Sequence, residues 1–156
     1  NLFKNKNFAL NEVAVLKKDT SSMVKIDTFV DDEFLNTYWA DGLIISTPTG
    51  STGYSLSCGG PIISPGTNNI IITPIAPHNL NVRPIIINDN SIIKLKVEDR
   101  DQLALVALDS CSRAFDSSEE LTIKKANFRI NLIEPQGNTF TSTIRSKLMW
   151  GSDKRN

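Results

Sequence analysis

Among its 156 residues the sequence holds only two cysteines, Cys58 and Cys111, and a single histidine, His78. Two cysteines cannot build the disulfide framework of a small secreted domain. With one histidine beside them they also lack the spacing of a zinc site. No metal site is therefore expected in this segment, and a reducing, cytoplasmic setting is. Charge of one sign is missing too: 17 basic and 17 acidic side chains cancel to a formal net charge of +0. Nucleic acid and anionic membranes select an excess of positive charge, so neither is an expected partner. No apolar run approaches the roughly 20 residues of a membrane-spanning helix, and no signal-peptide pattern is present. Internal repeats, heptads and low-complexity tracts are also absent. The chain starts at Asn1 rather than at methionine, so a preceding segment is expected.

What the sequence does have is isoleucine in short clusters: Ile70-Ile71-Ile72, Ile85-Ile86-Ile87 and Ile92-Ile93. β-Branched side chains favour pleated, packed surfaces. With proline, Asn and Asp turn signals recurring every ten residues or so, they predict a mainly β protein, a layered β-sandwich of roughly ten strands. Strands are expected within 8–16, 23–30, 34–39, 43–45, 70–76, 83–88, 91–98, 103–108, 121–124 and 128–132, the last two as neighbours with one wet face. Turns are expected at Asp31-Asp32-Glu33 and at Asp109-Ser110-Cys111-Ser112. Helical spacing within 141–150 predicts a short C-terminal helix that packs Ile144 and Leu148 on the sheet and ends at Gly151.

The stretch 40–66 differs in kind. A short buried strand, Leu43-Ile44-Ile45, opens into glycines and hydroxyls from Ser46 to Ser57, broken by Pro48 and Tyr54. Glycine lets a backbone approach a ligand closely, and Ser/Thr hydroxyls both donate and accept. Such a stretch suits a polyhydroxylated or phosphorylated partner, or is an ordinary exposed loop. Asn11-Glu12 at the mouth of the first strand either reads a sugar or base or forms a turn. Asp41 is a turn former or an acceptor aimed into a cleft. His78 is a ligand contact or a hydrogen-bonded loop residue.

Asp41-Gly42-Leu43-Ile44-Ile45-Ser46-Thr47-Pro48-Thr49-Gly50-Ser51-Thr52-Gly53-Tyr54-Ser55-Leu56-Ser57, followed by Gly59-Gly60-Pro61, closely resembles the NAD kinase signature. Three more segments resemble that family in the same order: Asn11-Glu12; Pro74-Ile75-Ala76-Pro77-His78-Asn79-Leu80 with Arg83-Pro84-Ile85; and Arg145-Ser146-Lys147-Leu148-Met149-Trp150-Gly151. The resemblance implies a C-terminal, all-β, NAD-binding and oligomer-forming domain covering 1–156, with a short helix after the Thr-Pro-Thr-Gly loop. It implies a catalytic α/β domain upstream of Asn1. The family transfers a phosphoryl group from ATP, or polyphosphate in some members, to the adenosine-ribose 2′-hydroxyl of NAD.

By resemblance, Asn11 and Glu12 bind the adenosine moiety and Asp41 the nicotinamide end. Thr49, Thr52, Gly53, Tyr54, Ser55, Leu56 and Ser57 line the dinucleotide pocket, and Ala76 meets the ligand from a neighbouring subunit of a dimer or tetramer. The family's Gly-Gly-Asp-Gly motif, source of the presumed catalytic aspartate, is absent from this sequence and expected upstream. Its Asp-Gly-Gln turn appears here as Asp109-Ser110-Cys111, so a glutamine contact is lost or replaced. No catalytic residue is therefore expected in this segment, and Mg with ATP is expected only in the full-length enzyme. The competing readings are the C-terminal domain of a diacylglycerol-type lipid kinase and a ligand-free β-sandwich assembly module.

Overall fold

The structure is a computed structural model that describes residues 3, 7–18, 22–98, 103–131, 133, 137 and 139–151. It divides into two compact units, Asn1–Ala126 and Asn127–Asn156.

The described residues of the first unit form ten strands in two antiparallel sheets. The larger sheet has the order β6-β5-β4-β1-β8-β9, built from β1 (Glu12–Lys17), β4 (Gly42–Ser46), β5 (Asn69–Ile75), β6 (Ile85–Asn88), β8 (Leu103–Leu108) and β9 (Cys111–Asp116). The smaller has the order β10-β7-β2-β3, from β2 (Val24–Val30), β3 (Glu33–Ala40), β7 (Ile93–Glu98) and β10 (Leu121–Ile123). A sandwich requires each sheet to bury one side of its alternating pattern. Val15, Leu43, Ile45, Ile72 and Val106 from the large sheet, and Val24, Ile26, Ile93, Leu95 and Val97 from the small one, meet in a single core. The expected β-sandwich is present.

β4 is buried at all five positions. A half-wet strand would alternate, so the continuous run Leu43-Ile44-Ile45 signals cover on both faces. The inner face meets the small sheet. The outer face lies under a 3₁₀ turn, Thr49–Thr52, and the short helix α1, Tyr54–Ser57. This is the helix expected after the Thr-Pro-Thr-Gly loop.

The β2–β3 hairpin turns on Asp31 and Asp32, with φ of 52° and 66°. Two consecutive left-handed residues match the twist of a tight hairpin, and aspartate tolerates that region better than most residues. Asp31 Oδ1 also accepts from the Ile92 amide at 2.8 Å. That bond, followed by one from Ser91, holds the Asp31 carboxyl below its ordinary value.

β1 starts at Glu12, with Asn11 in the loop before it, so the pair lies at the strand's mouth as expected. Two expectations need correction. The segment after Ser110 is not a turn but strand β9, a sheet edge on which only Phe115 is buried. Its polar sequence gave no alternation to detect. Residues 128–131 form no strand, and Leu132 lies outside the described residues. β10 instead pairs with β7.

In the second unit, α2 spans Phe140–Leu148. Thr139 caps it: the Ser142 amide donates to Thr139 Oγ1 at 3.1 Å, and the Thr139 amide donates back to Ser142 Oγ at 3.0 Å. Met149, with φ of 50°, ends the helix two residues before the expected Gly151. Ile144 and Leu148 are half-buried.

Candidate functional site on the outer face of the large sheet

The outer face of the large sheet brings together residues distant in sequence. Glu12 pairs with Ser46 across β1 and β4, so the mouth of β1 lies beside the start of the hydroxyl-rich loop. The Thr47 amide donates to Asn11 O at 2.9 Å, and Thr47 Oγ1 donates to Leu10 O at 2.7 Å. Gly50 packs directly on this backbone. A Cβ added there would lie 2.6 Å from Asn11 C and 2.8 Å from Asn11 Cα, and nearer still to the carbonyl oxygen. Only glycine permits that approach.

At this junction Glu12 Oε2 is buried and makes no hydrogen bond to the described residues. A Cβ on Gly53 would stand 3.5 Å from it. Burial pushes the Glu12 carboxyl above its ordinary value, and the charge of Asp109 pushes the same way. An orphaned buried acceptor costs stability wherever it is left unpaired. Its chemistry suits a hydroxyl donor.

The other end of the face is built around Asp41, which precedes β4. Its amide donates to Ile75 O at 2.9 Å, and the Lys17 amide donates to Asp41 O at 3.0 Å. Lys17 Nζ pairs with the Asp41 carboxylate at 2.7 Å. Ala76 follows β5 directly. It is exposed and held at φ 44°, a left-handed conformation that costs an alanine of order 1 kcal/mol or more. Tyr54 rises above its ordinary pKa through burial first, then through the nearby Cys58 and Asp41. Asp41, Tyr54 and Ala76 thus share one neighbourhood. From Asp41 to Ser46, opposite Glu12, the chain runs along β4. At about 3.3 Å per residue the two ends lie roughly 16 Å apart.

The hydroxyls between these ends divide into two sets. Ser46, Ser51 and Ser55 are buried and tie the segment down. Ser51 Oγ donates to Pro48 O at 2.7 Å and accepts from the Ile63 amide at 3.0 Å. Ser55 Oγ bonds Thr73 Oγ1 at 2.8 Å beneath α1. Thr49, Thr52, Gly53, Tyr54 and Ser57 are exposed, and Leu56 is half-buried. Of the pocket-lining residues expected from the sequence, Ser55 is therefore the one whose hydroxyl points into the fold. His78 is exposed, and its amide donates to Trp39 O at 2.8 Å.

Asp109, Lys17, Thr47 and Thr73 were missed by sequence reasoning. Asp109 gave one usable signal, a carboxylate at a tight turn beside a strand. Among the described residues no cluster of three or more His, Cys, Asp or Glu is placed to hold a metal ion. Both Asp109 oxygens are taken up by amides, so Glu12 and Asp109 do not together offer a free pair of carboxylates. No described helix is long and apolar enough to cross a membrane.

The fold and candidate site define a two-sheet β domain with a carboxylate- and hydroxyl-lined outer face on its larger sheet. Residues 10–134 match the family model described as the ATP-NAD kinase C-terminal domain, and the chain belongs to that family. It is 60% identical over 153 residues to an NAD kinase of Flavobacterium psychrophilum, covering 98% of this chain and 52% of that protein. With an NAD kinase of Bacteroides fragilis it is 51% identical over 152 residues, covering 97% and 52%. The chain thus spans about half the length of the curated relatives it matches. Among solved structures it is similar to yeast NADH kinase complexed with NADH, with a TM-score of 0.84 and 28% identity over 93% of this chain and 45% of that one. It is also similar to an NAD kinase from Archaeoglobus fulgidus in complex with ATP, with a TM-score of 0.70 and 36% identity over 77% and 46%.

Proposed function

We propose that this chain is the acceptor-binding half of an NAD kinase, which phosphorylates the adenosine-ribose 2′-hydroxyl of NAD to give NADP. The observation that carries this reading is the junction of Asn11-Glu12 with the 47–53 loop. There a buried, unpaired carboxylate oxygen stands beside Gly53 of a loop that Gly50 lets pack directly on Asn11. A ribose hydroxyl is the donor such an oxygen needs. Asp41, with Ala76 beside it, lies roughly 16 Å away along the same face, the scale of an extended dinucleotide, and would take the nicotinamide end. Tyr54 stands between the two ends, next to Gly53 and within electrostatic range of Asp41. Thr49, Thr52, Gly53, Leu56 and Ser57 would border the path between them, with Ser55 holding α1 in place.

The 2′-oxygen attacks the terminal phosphorus of ATP or polyphosphate, and the bond from phosphorus to the leaving phosphate oxygen breaks. The hydroxyl proton goes to a base outside this segment. Positioning of the donor and any Mg also falls to the remainder of the protein. This segment binds, orients and desolvates the acceptor. Exposed Phe128, Ile130, Ile133, Met149 and Trp150 in the second unit support the view that this part of the chain meets further protein surface. We place the enzyme in the cytoplasm as a homo-oligomer in which Ala76 faces the ligand of a neighbouring subunit. The test is an assay of the full-length protein for NADP formation from NAD with ATP and Mg. Asn11→Ala and Asp41→Asn should each weaken NAD binding by about 1.5–3 kcal/mol. A full-length protein that neither binds NAD nor makes NADP would falsify the reading.

A further inference from the structure

Asp109 sits in the two-residue turn between β8 and β9 with φ of 50°. From there its carboxylate reaches across to the mouth of β1. Oδ2 accepts from the Leu10 amide at 2.9 Å, and Oδ1 accepts from the amides of Asn11 at 2.8 Å and Glu12 at 3.1 Å. The Asp109 amide in turn donates to Glu12 O at 3.1 Å. Three consecutive amides on one carboxylate is far more than a hairpin turn requires. A single aspartate has replaced the strand that would otherwise have continued the ladder.

The carbonyls of Leu10 and Asn11 face the opposite way. Leu10 O and Asn11 O accept from Thr47, and Gly50 packs against Asn11. The backbone of residues 10–12 is therefore gripped from one side by Asp109 and read from the other by the loop that borders the ligand face. We infer that Asp109 is a positioning residue for acceptor binding, one that fixes the Asn11-Glu12 backbone against the 47–53 loop before NAD arrives. This rests on the NAD kinase reading. It assigns the Asp109-Ser110-Cys111 turn a role that needs no glutamine. Asp109 itself touches no substrate.

The test uses full-length protein and the variants Asp109→Asn and Asp109→Glu, with folding checked by thermal melting. Asparagine keeps the size but turns an N–H₂ toward the amides, and glutamate keeps the charge but displaces it by one methylene. Displacements on the 1 Å scale cost about 100-fold in well-aligned sites. A rise of about 10- to 100-fold in KM for NAD is expected, with KM for ATP unchanged within about 2-fold. A purely structural role would lower the active fraction, and so the apparent kcat, and leave both KM values alone. That result, or equal change in both KM values, overturns the inference.

Should neither variant fold, amide hydrogen exchange of the wild type decides. Protection of the Leu10, Asn11 and Glu12 amides to the level of mid-β1 amides without NAD is the expected result. Fast exchange that slows only when NAD is added contradicts positioning in advance. The exchange measurement without NAD needs no catalysis, so failure of the kinase reading shows separately, as a wild type that makes no NADP.

Discussion

Replacing Gly50 by alanine is the smallest change that tests how the proposed ligand face is assembled. The new methyl would lie 2.6 Å and 2.8 Å from Asn11 C and Cα, whereas ordinary contacts between carbon atoms are about 3.5–4.0 Å. One side must retreat by close to 1 Å. Asn11 cannot do so without stretching bonds to Asp109 and Thr47 that measure 2.8 Å and 2.9 Å. The loop must therefore lift, taking Thr49, Thr52 and Gly53 with it. Overpacking of this kind costs about 1–3 kcal/mol, and a displacement of that size in the ligand site costs up to about 100-fold in activity. Gly59→Ala is the comparison. Nothing stands within 4 Å of its added methyl, although its φ of 81° is strained for alanine, so about 1–2 kcal/mol of stability is lost with no change at the ligand face. Thermal melts and titration with NAD in the full-length protein separate the two. If Gly50→Ala melts and binds NAD as the wild type does, the close packing of the loop on Asn11 is refuted.

Ser55→Ala and Thr73→Val should each cost about 1–3 kcal/mol by orphaning the partner hydroxyl, and the double variant less than the sum. Additive losses on chemical denaturation would deny their bond. Glu12→Gln should bind NAD about 10-fold or more weakly, because the charged acceptor is gone. It should also raise the melting temperature at neutral pH. The Glu12 carboxyl is raised from 4.5 when folded, so its stabilising share is full below that value and is lost as pH rises through the raised one. The variant's advantage should therefore vanish in acid, and an advantage independent of pH would contradict the burial argument. Thr139→Ala should cost about 0.5–2 kcal/mol of cap energy, seen as faster exchange of the Ser142 and Thr143 amides; unchanged exchange would mean that the cap does not hold the first turn.

Sequence patterning found most of this fold because most of it alternates. Val24, Ile26 and Thr28 are buried and Lys25 is not, as a period of two requires. β9 escaped because Cys111, Ser112 and Arg113 offer nothing to bury. Residues 128–131 misled because alternation describes a side-chain pattern and says nothing about whether a partner strand exists. At the candidate site, the signature around Thr49 to Ser57 falls on the outer face that also carries Glu12 and Asp41. Composition could not sort its hydroxyls, since whether Ser55 turns to Thr73 or outward depends on where β5 runs. Asp109 was the hardest case. Its partners lie 97 to 99 residues away, a pairing set by the β1–β8 register and by no local spacing.

In the proposed function, the two ends of the outer face hold the two ends of one NAD molecule. A crystal structure of the full-length protein with NAD tests it most directly. The adenosine-ribose hydroxyls should lie within hydrogen-bonding distance of Glu12, and the nicotinamide should rest beside Asp41 and Tyr54. NAD bound away from this face, or with adenosine at Asp41 and nicotinamide at Glu12, would contradict it.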